Sequence, residues 1–147
     1  MRDLLLTSHV LVGTTALLLG PCWLLLRMRG SAAVLAAWAY QVAVAAVAFS
    51  AAVLALTSAG LQWLLPVALV TEALAVTGAL ARRRGWRGWR SWQPHLLGGS
   101  YIALVTGVLV AETGNPVFWL LPAVVGQVPI AVAKHRLRSP VPAAVIA

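Results

Sequence analysis

The chain is short of acid: Asp3, Glu72 and Glu112 are its only carboxylate side chains in 147 residues. It has one cysteine, Cys22, so no internal disulfide can form and the redox compartment cannot be read from thiols. That lone thiol reads as buried and inert. Charged residues make up 10% of the chain, against roughly 25% in soluble domains. Spacings of the Cys or His-Glu-x-x-His kind that would ligate a metal are absent, as are a phosphate-cradling glycine loop and a serine nucleophile elbow. No metal or resident cofactor is expected.

What is present is apolar. Hydrophobic residues account for 61% of the chain, and the mean hydropathy is +0.90. A soluble core of this length could not absorb so much apolar surface. With lipid as solvent, every backbone group must be paired inside helices or a closed barrel. The runs are long, rich in Ala and Leu, and lack the period-2 alternation of barrel strands. The expectation is an all-α integral membrane bundle, a single domain over 1–147, with five spans at 4–26, 32–56, 61–81, 95–111 and 116–133. Pro94 marks the start of the fourth.

Ten of the eleven basic residues fall on alternate connections: Arg27 and Arg29, then Arg82, Arg83, Arg84, Arg87 and Arg90, then Lys134, Arg136 and Arg138. The positive-inside rule makes that side cytoplasmic, so the N-terminus lies outside and the C-terminus inside, in a multi-pass protein of the plasma membrane. A cleaved signal peptide competes for 4–26, but its basic region would be Arg2 alone, offset by Asp3. Leu19-Gly20-Pro21-Cys22 has a faint likeness to a lipoprotein cleavage box, with Pro21 where a small residue is wanted.

The net charge of +8 raises nucleic acid as a partner, above all at Arg82-Arg83-Arg84-Gly85-Trp86-Arg87-Gly88-Trp89-Arg90-Ser91-Trp92. Between two spans, the same residues suit anionic lipid headgroups and the aromatic belt better, so no nucleic acid is expected. Trp23, Trp63 and Trp119 fit that belt. The second span is Ala-rich, interrupted by Trp38, Tyr40, Gln41 and Ser50, and small residues let helices approach closely; a homo-oligomer stays open. Pro122 and Pro129 bracket Gly126 and Gln127, so the fifth span should bend there.

Glu72 is the most informative residue. It lies near the centre of the apolar run 61–81, and a carboxylate at bilayer depth needs a partner, a water-filled pocket or a proton. Gln41 and Glu72 each stand nine residues from the basic end of their spans, at Ala32 and Ala81, or about 14 Å in. Gln127 and Thr106 fall at similar depth, and the four could form one polar belt, with Glu72 expected to find a polar partner or pocket. On the outer side, His9, Glu112 and Asn115 form a second group, and an imidazole beside a carboxylate is a usual acid/base pairing. The plain alternatives are a packing role for Glu72, interhelical glue for Gln41 and Gln127, and solvated interface residues for His9 and Glu112. His95 and His135, at the basic ends of two spans, could be brought to one depth as axial ligands of a b-type haem, against which Lys134 and Arg136 place His135 in a basic interfacial run.

The run His95-Leu96-Leu97-Gly98-Gly99-Ser100-Tyr101-Ile102-Ala103-Leu104-Val105-Thr106-Gly107, followed by Trp119-Leu120-Leu121-Pro122-Ala123-Val124-Val125-Gly126, resembles the last two spans of small bacterial multi-span membrane proteins of unknown function. His9-Val10-Leu11-Val12-Gly13 and Gly20-Pro21 resemble their first span more loosely. The likeness covers about half the chain, without Glu72 or the Arg/Trp loop. It implies the topology and a role for His9, His95 and Tyr101, and it supplies no activity.

Two readings follow. In the first, an embedded acid/base isomerase or cyclase acts on a lipophilic small molecule, with Glu72, Glu112 and His9 as catalytic candidates and Gln41, Gln127, Thr106, Tyr101 and Asn115 as substrate-binding candidates. In the second, the chain is a non-catalytic binding, transport or accessory subunit. A haem or quinone redox protein stands third.

Overall fold

A computed structural model describes residues 2–25 and 30–138, and every regular element in them is helical. The helices are α1 (Arg2–Leu25), α2 (Gly30–Thr57), α3 (Leu64–Arg83), α4 (Trp89–Thr113), α5 (Leu121–Val125) and α6 (Gln127–Arg138), with a 3-10 turn at Pro116–Trp119 before α5. Five stretches are long and apolar enough to cross a membrane: Asp3–Pro21, Val34–Thr57, Leu64–Arg83, Ser91–Thr113 and Pro116–His135. Arg27 and Arg29 lie outside the described residues, as do the side chains of Cys22, Trp23, Arg90, Arg136 and Arg138.

Local chemistry sets the helix ends. Gly114 takes a left-handed φ of 62° and returns its N–H to the Val110 carbonyl, which closes α4. Asn115 then accepts the Val117 N–H on its side chain at 3.0 Å, and Pro116, which has no N–H to satisfy, opens the 3-10 turn.

The start of the fourth span differs from the sequence reading. Helix α4 begins at Trp89 and carries Pro94 inside it, six residues before the expected start at His95. The proline still lies near the helix N-terminus, where the carbonyl it leaves unpaired, that of Arg90, is close to the helix end. The fifth span is interrupted at Gly126, between α5 and α6, where the flanking prolines led us to expect a bend.

α1 packs on α2, α2 on α3, and α3 on α4, while α4 reaches back to α1 and closes a ring of four helices. The 3-10 turn, α5 and α6 pack against α4 from outside the ring and do not touch α2 or α3. Inside, the core is Ala16, Ala43, Val44, Val47, Ala75 and Leu104. These are mostly small side chains, consistent with backbones held close. Gly98 of α4 shows how close: a Cβ there would stand 2.5 Å from Ile130 of α6. The large apolar side chains left exposed, such as Leu4, Leu11, Leu18, Phe49, Leu69, Leu120, Val124 and Val128, lie on the outward faces of the helices.

Candidate functional site

The polar residues of the apolar layer fall into two groups, those with partners and those without. His9 of α1 meets Ser50 of α2, with Nδ1 2.8 Å from Oγ. The Ser50 hydroxyl has one hydrogen, which goes to the Ala46 or Val47 carbonyl of its own helix. His9 Nδ1–H therefore donates, and Nε2 is left as an acceptor. The same reasoning makes Tyr40 of α2 the donor to Ser100 Oγ of α4 at 3.1 Å, since Ser100 gives its own hydrogen to the Leu97 carbonyl.

Tyr101 makes the most telling bond. Its hydroxyl donates to the Leu17 carbonyl at 3.0 Å. Pro21 lies inside α1 and has no N–H, so its i−4 carbonyl, that of Leu17, loses its helical partner. Tyr101 supplies that missing donor from the neighbouring helix. Gly20 makes room for it, because a Cβ at that position would stand 2.6 Å from the tyrosine ring.

Gln41 and Glu72 form the unpartnered group. On α2, Tyr40 points to α4 and Ser50 to α1, which leaves the stripe of Gln41, Ala48, Ala52 and Ala55 for α3. On α3, Val67, Leu74 and Gly78 meet α4. Glu72 lies about 140° round the helix from that stripe, on the same side as Arg83, whose guanidinium sits over Trp38 of α2 at 4.3 Å. Both residues therefore belong to the seam between α2 and α3. Among the described residues, the buried side-chain atoms without a hydrogen-bond partner are Gln41 Nε2, Glu72 Oε2 and, just past the end of α2, Ser58 Oγ. The expectation of a polar protein partner for Glu72 is not met among the described residues, because its Oε2 accepts no hydrogen bond there. Buried polar atoms in native structures are rarely left unpaired, so a ligand, ion or water is the usual reason for one.

The remaining candidates lie elsewhere. Gln127 is exposed, donates to the Ala123 carbonyl of its own segment at 3.1 Å, and sits on a span that touches neither α2 nor α3, so it is not part of a belt with Gln41 and Glu72. Thr106 is buried on α4. Glu112 is exposed in the last turn of α4, and its side chain makes no hydrogen bond or ion pair among the described residues, so the expected contact with His9 does not form. Sequence gives the depth of both, and azimuth separates them. Asn115 is committed to its turn. At the other end, His95 Nε2 accepts from Lys134 Nζ at 3.3 Å, so it faces an ammonium group instead of a second axial histidine. His135 is exposed on α6.

Ser50, Tyr40 and Ser100 had no part in the sequence reading of the site. The signal for Ser50 was there: it is the main polar interruption in the half of its span that lies at the depth of His9. No family model, curated protein or solved structure matches the chain.

Proposed function

We propose that the chain is a multi-pass membrane protein that binds a lipophilic small molecule in the α2–α3 seam, with Gln41 and Glu72 as its polar contacts. One observation carries this reading: among the described residues Gln41 Nε2 and Glu72 Oε2 are buried without a hydrogen-bond partner, whereas every other polar side chain named as a candidate at mid-span either has one or, in the case of Thr106, lies away from the seam. A lipophilic molecule with a hydrogen-bonding group would reach this seam from the bilayer, past the exposed Val42, Phe49, Leu69 and Val76. The charge pattern supports a plasma-membrane orientation with the N-terminus outside and the basic loops in the cytoplasm.

The free carboxyl oxygen of Glu72 also favours a second reading, in which the bound molecule is isomerised or cyclised. Such a step is redox-neutral: the carboxyl gives one proton to the substrate and takes another back. His9 and Glu112 have no place in it.

The test is to purify the wild type, Gln41→Leu, Glu72→Leu and Glu72→Gln under identical conditions and quantify co-purifying apolar molecules by mass spectrometry. One species should be enriched in the wild type, depleted about tenfold or more in both leucine variants, and retained in Glu72→Gln. Identical profiles in all four proteins would remove the binding reading. If binding survives in Glu72→Gln while conversion of the identified molecule falls by about two orders of magnitude or more, the seam is catalytic.

A further inference from the structure

The end of the bundle that carries the basic residues has no acid of its own. Asp3 lies in the first turn of α1 and Glu112 in the last turn of α4, both at the opposite end, and Glu72 lies within α3. By their places in the sequence, ten cationic residues therefore share one end of a 147-residue chain without a carboxylate side chain beside them. Neighbouring cations within a Debye length of about 10 Å repel one another. The compensating charge has to come from another molecule.

The connection between α3 and α4 shows which cations are available. It turns within five residues, 84–88, through Gly85 at φ 58° and Gly88 at φ 78°. Arg83 is occupied by the Trp38 ring. Arg82, Arg84 and Arg87 are exposed, and their side chains make no hydrogen bond or ion pair among the described residues. Helix α6 meets a different face of α4 from α3, and there Lys134 lies beside His95. Trp86 on the connection and Trp92 in the first turn of α4 are 44% and 63% exposed.

We propose that this end is a collar for anionic phospholipid headgroups, with two phosphate-binding patches on either side of α4: Arg82, Arg84 and Arg87 on one, Lys134 on the other. The proposal rests on membrane insertion but is independent of any ligand in the α2–α3 seam. Lipid is favoured over nucleic acid because the collar closes off five apolar spans and carries exposed tryptophans, which settle at headgroup depth. Arginine suits phosphate through its planar fork of donors.

The full chain, delipidated in a neutral detergent, is titrated with phosphatidylglycerol or phosphatidylcholine, and bound lipids are counted by native mass spectrometry. The wild type should retain at least two phosphatidylglycerol molecules in clear preference to phosphatidylcholine. Each arginine replaced by glutamine should weaken that retention by about fivefold, with Arg82→Gln/Arg84→Gln/Arg87→Gln removing one patch and Lys134→Gln, separately, the other. Circular dichroism should be unchanged, since Arg82, Arg84 and Arg87 are exposed and Lys134 bonds the exposed His95. Inorganic phosphate at millimolar concentration should displace little lipid. Equal retention of the two lipids would overturn the proposal, as would unchanged preference in both variants. So would binding of a single-stranded RNA oligonucleotide without any preference for phosphatidylglycerol.

Discussion

Replacing Tyr101 with phenylalanine removes one oxygen from the α1–α4 contact and leaves the ring that packs on Gly20 in place. Interhelical hydrogen bonds in membranes average about 0.6 kcal/mol and reach about 1.7 kcal/mol. A buried acceptor left without any donor costs roughly 1–3 kcal/mol. Leu17 belongs near the upper end of the first range, because Pro21 has already taken away its helical donor. We expect Tyr101→Phe to destabilise the bundle by about 1–2 kcal/mol. In a Pro21→Ala background the alanine N–H would return to the Leu17 carbonyl, and the same substitution should cost about 0.5 kcal/mol or less. The four proteins of this double-mutant cycle can be compared by reversible unfolding in bicelles. A coupling near 1 kcal/mol supports the account. An equal cost of Tyr101→Phe in both backgrounds would show that the hydroxyl does not replace the donor lost at Pro21.

Other expectations follow from neighbouring contacts. Gly98→Ala should cost about 1–3 kcal/mol through overpacking against Ile130, whereas Gly107→Ala, whose Cβ would meet Val67 at an ordinary 3.8 Å, should be neutral or slightly stabilising; similar unfolding curves for the two would refute the packing argument. Ser50→Ala should destabilise by about 0.5–1.5 kcal/mol by removing the His9–Ser50 hydrogen bond between α1 and α2, and in a His9→Ala background the same substitution should cost less; full additivity would count against the pair. Reporters fused after Ala147 or within the 84–88 connection should be active only if they work in the cytoplasm, and periplasmic activity at either place would invert the proposed orientation.

The spans were legible because apolar length is a one-dimensional signal, and all five helical stretches fall where the apolar runs are. The start of α4 was not, because Pro94 looks like a boundary in sequence yet is tolerated inside the helix near its first turns. The interruption at Gly126 falls between the two prolines that pointed to an irregularity there. At the site, residue counting supplied depth and nothing about azimuth. Helix geometry turns Gln41 and Glu72 toward the α2–α3 seam, while Gln127, at similar depth, is exposed on a helix that meets α4 and neither α2 nor α3. His9 and Glu112 failed for the same reason, as His9 turns toward α2 and Ser50. Tyr101 was named as a substrate-binding candidate, and in the structure its hydroxyl bonds the Leu17 carbonyl. Its role depends on a carbonyl freed by a proline in another helix, which neither residue reveals alone.

The most direct measurement is an experimental density map of the protein in lipid nanodiscs at the α2–α3 seam. The account predicts non-protein density within hydrogen-bonding reach of Gln41 Nε2 and Glu72 Oε2, continuous with an apolar body between the helices. A seam in which the two side chains are closed off by protein groups, or in which Glu72 points into undifferentiated acyl chains, would contradict it.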